Sequence, residues 1–156
     1  MPDLPETLTT DLLFDAKIDL RPPEALGQTP LGGRTIFIIE GGTFQGPQLS
    51  GTVRQGGGDW FLAHPNGAGE LDVRLTLETH DGALILMTYR GVFDVDPAVV
   101  AEVFAGNDVD PSRYYFRTTP RFETGDQRYA WLNKLVCVGT GWFAPNLVGY
   151  RIFAIR

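Results

Sequence analysis

The sequence predicts an all-β domain of antiparallel strands with one short helix. Three observations carry that expectation. Apolar and polar residues alternate with period two in five or more segments. The 19 glycines and 11 prolines mostly separate short apolar stretches, as turns between strands do. Only one stretch has both a start and a stop signal for a helix. At 156 residues, the whole of 1–156 reads as a single domain long enough for a proper hydrophobic core. It contains no internal repeat and no linker.

The elements follow in order. In "LLFDAKIDL" (12–20), Leu12, Phe14, Ala16 and Ile18 alternate with charged residues, and "RTIFIIEGGTF" (34–44) is a denser apolar run ending at a glycine pair. "PQLSGTVRQ" and "GGGDWFLAH" suggest a hairpin with glycines at its turn and Trp60 opening its second arm. The clearest hairpin is "ELDVRLTLET" followed by "ALILMTYRGVF". Leu71, Val73, Leu75 and Leu77 alternate with Asp72, Arg74, Thr76 and Glu78, and the intervening Asp-Gly supplies the positive φ of a tight turn. The helix is expected at 97–105. Asp96 is its cap, Pro97 its first residue and Gly106 its exit, with Val99, Val100, Val103 and Phe104 as the apolar side. A single turn at Asp110–Pro111 then leads into a strand at 113–118. Two last strands are expected at 127–139 and 147–156. So many strands need closure, since open edges invite association; a barrel and a two-sheet sandwich both provide it.

Composition narrows the function. The formal charge of −6 argues against a nucleic-acid or anionic-membrane partner. No segment has the roughly 18 apolar residues of a membrane span, and the first residues lack a basic leader and apolar run, so a cytoplasmic protein is the default expectation. His64 and His80 both lie in turn sequences, and Cys137 is the only cysteine. A histidine triad, a zinc site and a disulfide framework are therefore unsupported; Cys137 reads as a buried thiol. The glycine-rich 41–51 stretch lacks the Lys-Ser/Thr ending of a phosphate loop. No metal and no cofactor are expected.

One stretch departs from the acidic background. Residues 111–134 carry a local charge of +3 against −9 elsewhere, with six of the chain's 18 aromatic residues. Strand parity sets Tyr115 beside Arg117, and Tyr129 and Trp131 beside Asn133. If the two segments pair, one face gathers polar groups among aromatics, as a small-ligand pocket does. An aromatic core with Arg117 pairing Glu123 would use the same residues for architecture alone. Asp72 and Arg74 on one strand face read first as a solvent-side ion pair.

The strings "GGTFQGPQLSGTVRQGGGDW", "ELDVRLTLETHDGALILMTYRG" and "YYFRTTPRFETGDQRYAWLNKLVCVGTG" resemble the domain of unknown function 3237 family of small bacterial and fungal proteins. The resemblance runs from about Leu12 to Ile155. It implies a closed, calycin-like antiparallel β-barrel of about eight to ten strands, similar to the allene oxide cyclase and dirigent group. Trp60, Asp72, Arg74, Arg90, Tyr115, Arg117, Glu123 and Asn133 stand at positions matching the family pattern. By analogy with related barrels it implies a cofactor-independent isomerase, cyclase or lyase acting on a small apolar or aromatic carbonyl compound. A non-catalytic binding protein with the same pocket is the alternative. The candidate catalytic residues are Glu123, Asp72 and Tyr115. The candidate substrate-binding residues are Arg117, Asn133, Arg90, Trp60 and Trp131. The expected partner is a small apolar or aromatic molecule, and self-association as a dimer stays open.

Overall fold

The computed structural model describes residues 2–156. Its elements are β1 (Thr10–Leu20), β2 (Glu24–Thr29), β3 (Gly32–Gln45), β4 (Ser50–Val53), β5 (Gly58–Ala63), β6 (Gly69–Thr79), β7 (Leu84–Asp94), α1 (Pro97–Phe104), β8 (Tyr115–Glu123), β9 (Cys137–Ala144) and β10 (Leu147–Ile155). All the strand pairings are antiparallel. The sheet runs β1-β10-β9-β8-β7-β6-β4-β3, and β1 pairs with β3 to close it. The closed antiparallel barrel and its one helix are as expected.

Ten strands make eight staves because two staves are broken. β1 and β2 lie end to end along β3, against Ile39–Gln45 and Gly32–Ile36 respectively. Between them falls Arg21-Pro22-Pro23, whose prolines lack ladder donors. β4 and β5 likewise lie end to end between β3 and β6. They are not the two arms of a hairpin, as the glycines between them had suggested. Gly56 and Gly57 have φ of +106° and +75°, and they bend one strand past a bulge instead of reversing it.

Inward side chains follow the alternation. On β6, Leu71, Val73, Leu75 and Leu77 are buried, and on β8 Phe116, Thr118, Pro120 and Phe122 are. The β6–β7 turn uses Gly82 at φ +87°. The Asp96 side chain accepts from the Ala98 N–H at 2.8 Å to start α1, whose Val99 and Val103 are buried. Among the described residues no helix is long and apolar enough to cross a membrane.

The first part of the strand expected at 127–139 is a turn followed by a 3-10 helix, Ala130–Lys134, and β9 begins only at Cys137. Asp126 accepts from the Arg128 backbone N–H at 3.0 Å, a local bond that competes with strand extension. The chain then carries Leu132 and Tyr129 into burial at the end where β1 and β7 begin and β8 finishes. There Phe14 meets Phe44 and Phe122 edge to face at 5.3 and 5.9 Å. Asn133 clamps this plug: its Oδ1 accepts from Thr124 N–H and its Nδ2 donates to Thr124 C=O, both at 2.9 Å. Tyr129 donates to Asp81, which also pairs with Arg128 at 3.0 Å.

Asn133→Leu keeps the side chain's size but strands both Thr124 backbone groups. It is expected to lower unfolding free energy by about 1–3 kcal/mol, read by urea denaturation, because the clamp holds the plugged end shut.

Candidate functional site

The opposite end of the barrel is hollow. A cavity of about 260 Å³ opens among the ends of β1, β7 and β9, the beginnings of β5, β6, β8 and β10 and the middle of β3, with Val100 and Phe104 of α1 at its edge. Phe37, Phe61, Phe93, Phe116 and Phe143 supply much of its wall. Only three side chains in the lining offer a titratable oxygen: Asp59, Tyr89 and Tyr150.

Strand register brings these three together. Phe37 on β3 lies opposite Asp59 on β5, Asp59 opposite Val73 on β6, and Val73 opposite Tyr89 on β7. All four line the cavity. Tyr150 enters from β10, its ring 5.2 Å from that of Tyr89 and 5.4 Å from that of Phe116. The residue across from it on β9 is Gly141, where any Cβ would stand 2.6 Å from the Phe116 ring. That glycine leaves the ring its place in the wall.

The environment sets the protonation of each group. Burial pushes the Asp59 carboxyl up to about 7, and the nearby Asp72 carboxylate adds to the rise; the Asp72 backbone N–H and Arg34 oppose it. The N–H bond is 3.0 Å long and ends on Asp59 Oδ1, which leaves Oδ2 for a ligand. Burial raises both phenols well above their ordinary range, and their rings meet edge to face at 5.2 Å. Both therefore stay protonated, with O–H groups that can donate.

The residues expected to form the site do not gather there. Tyr115, Arg117 and Glu123 all point outward from β8. The Arg117 guanidinium lies over the Tyr115 ring at 4.9 Å, and among the described residues Glu123 forms no ion pair. Asn133 serves the plug at the other end, and Trp131 packs half-buried beside the core. Asp72 and Arg90 are paired on the outer wall at 3.3 Å, within a network that adds Arg74, Glu70 and His64. Trp60 is outward as well. Each named residue that lies on a strand follows its wet face, and the cavity takes the neighbour: Asp59 beside Trp60, Tyr89 beside Arg90, Phe116 beside Arg117. The signal was present. Asp59 shares parity with Phe61, Tyr89 with Ile85 and Met87, and Tyr150 with Ile152 and Ala154.

Among the described residues no group of three or more His, Cys, Asp or Glu side chains could hold a metal ion. Cys137 is buried, its thiol pushed up to about 11 by desolvation.

A model of a protein family of unknown function, DUF3237, matches residues 8–155. A UPF0311 protein of Clostridium acetobutylicum is 36% identical over 144 residues, covering 92% of this chain and 91% of its own. A crystal structure of a conserved protein of unknown function from Rhodopseudomonas palustris has a TM-score of 0.90 at 31% identity, over 97% of this chain and all of the other. A structure from Penicillium herquei, described as an enzyme, has a TM-score of 0.73 at 23% identity over the whole of both chains; that likeness concerns the fold.

The weakened acidity of Asp59 has a consequence for stability. An unfolded aspartate titrates near 3.9, so the folded state binds this proton more tightly. The contribution favours folding at low pH and is lost as pH rises through about 7. Asp59→Asn keeps the acceptor for Asp72 N–H and removes the buried charge. It is expected to stabilise the protein by roughly 2–4 kcal/mol at pH 8 and by almost nothing at pH 4, measured by urea unfolding at both.

Proposed function

The chain belongs to the DUF3237 family of proteins of unknown function, and we propose that its barrel is a cofactor-independent acid–base catalyst acting on a small apolar or aromatic carbonyl compound. One observation carries this: a carboxyl pushed up to about 7 stands with two protonated phenols in a largely apolar cavity. A general acid or base is most effective when its pKa lies near the working pH. Phenols placed where charge develops on oxygen stabilise an enolate.

The proposed step begins with the ionised Asp59. Its Oδ2 removes a proton from the carbon beside the carbonyl. The C–H electrons form the C=C bond, and the carbonyl π electrons move onto oxygen, where Tyr89 or Tyr150 donates a hydrogen bond. In a β,γ-unsaturated ketone the enolate extends over the adjacent C=C, so Asp59, now protonated, returns the proton to the γ carbon, which isomerises the compound and regenerates the carboxylate. No electron acceptor is consumed. The roles assigned from sequence to Glu123, Asp72 and Tyr115 pass in this proposal to Asp59, Tyr89 and Tyr150. Arg90 and Asp72 act from outside, by fixing the strand whose N–H holds Asp59. The description of the Penicillium herquei relative as an enzyme is compatible with catalysis on this fold. The apolar character of most of the wall also suits a binding protein without turnover, and chemistry on a bound ketone separates the two.

2-Tetralone is a neutral, enolisable aromatic ketone small enough for the cavity. In D₂O, NMR is expected to show protein-accelerated exchange of its α protons, with a rate that rises as pH passes about 7 and falls at least about 100-fold in Asp59→Asn. Tyr89→Phe should slow exchange less. Exchange equal in wild type and Asp59→Asn would remove the catalytic proposal.

A further inference from the structure

The cavity has a charge preference that its apolar appearance conceals. Rings run in an unbroken edge-to-face series from its outer wall to its floor. Phe37 meets Phe61 at 6.1 Å, Phe61 meets Phe93 at 5.9 Å, and Phe93 meets Phe116 at 5.1 Å. Phe116 and Tyr150 then lead to Tyr89. Among these rings stands one acid, Asp59, and no Lys, Arg or His is in the lining. Arg34, the cation whose field reaches Asp59, alternates with the inward Phe37 and spends its guanidinium on the Trp60 carbonyl oxygen. The other titratable groups facing Asp59 are Asp72 from β6 and the two phenols from β7 and β10. None of these supplies positive charge.

We propose that this cavity binds hydrophobic organic cations, a tertiary or quaternary ammonium group seated among the aromatic rings with Asp59 as its counter-ion. The face of an aromatic ring carries negative potential and attracts a cation, most strongly where water is excluded. A carboxylate in the same enclosure adds direct ion pairing, and the ligand's charge relieves the cost of keeping that carboxylate ionised away from water. An anionic ligand meets the reverse on both counts. Binding of the cation releases the proton that Asp59 holds near neutrality, so the carboxylate and the ammonium group are selected together. The inference rests on the cavity being the ligand site, as above, but does not require turnover.

Three ligands of closely similar size isolate the charge: benzyltrimethylammonium, its neutral carbon counterpart neopentylbenzene, and the anion 3-phenylpropanoate. Each is titrated by calorimetry at pH 8 into wild type and Asp59→Asn, with the folded state of both checked by circular dichroism. The expected result is a Kd for the cation at least about 10-fold below that of neopentylbenzene, with no binding of the anion. In Asp59→Asn the cation should lose at least that factor while neopentylbenzene keeps its affinity. Equal Kd values for cation and hydrocarbon in wild type would overturn the proposal while leaving the cavity as a neutral-ligand site. A cation advantage that survives Asp59→Asn would also overturn it. If none of the three binds, this proposal falls, while exchange of the 2-tetralone protons decides the catalytic one separately.

Discussion

Pairing of β1 with both β10 and β3 is the constraint on which the rest of the molecule depends. Once the sheet is closed, every stave's alternation acquires an absolute sense, inside or outside, and a one-residue slip anywhere would turn a stave's whole apolar set outward. Closure also limits the interior. A barrel of about eight staves encloses a space that side chains can nearly fill, so a cavity exists only where the chain withholds them. The two broken staves allow β3 to be shared by four neighbouring segments, with β1 and β2 on one side and β4 and β5 on the other. That arrangement places Phe37 and Asp59 side by side at the open end.

The two ends of the barrel are built on opposite principles. At the plugged end the chain folds back on itself, and polar groups are satisfied pair by pair: Asn133 with Thr124, Tyr129 with Asp81, Asp81 with Arg128. At the hollow end the connection between β7 and β8 is spent on α1, which contributes only its apolar side. The basic, aromatic stretch that stands out in the sequence is therefore divided between tasks. Arg113 makes a bidentate pair with Glu102 of the helix, Arg117 covers Tyr115 on the outer wall, and Arg128 braces the plug.

The antiparallel strands, the helix and its caps were legible because they depend on local periodicity and on residues such as Asp96, Pro97 and Gly106, whose effects do not extend beyond a turn; closure as a barrel and not a sandwich was implied by the family resemblance alone. Segment 127–135 was not. Its alternation of Tyr129, Trp131 and Asn133 has the period of a strand, but the Asp126 turn and the burial of Leu132 beneath the barrel override it. The join of β4 and β5 was equally hidden, since paired glycines permit a reversal and a bulge alike. For the cavity lining, residue type pointed to the outer wall where parity points inward. Arg90, Arg117 and Asp72 drew attention as charged residues near aromatics, yet period two assigns each of them to water. A solitary acid on an apolar face, Asp59, is the rarer event and the more informative one.

Two acids of the barrel, Asp81 and Asp59, sit in opposite surroundings. Asp81 shows what an architectural carboxylate looks like in this fold. It accepts from the Thr79 and Tyr129 hydroxyls and pairs with Arg128, and these contacts hold its carboxyl below the usual range, the Thr79 bond foremost. Asp59 has a single backbone donor, a second carboxylate nearby and no cation inside the wall, so its acidity moves the other way. Packing gains nothing from that choice, because Asn or Leu at the same position would avoid the desolvation cost. A carboxyl left under-partnered beside a 260 Å³ cavity makes physical sense when its missing partner arrives from outside, as a proton to be moved or as a charge to be matched.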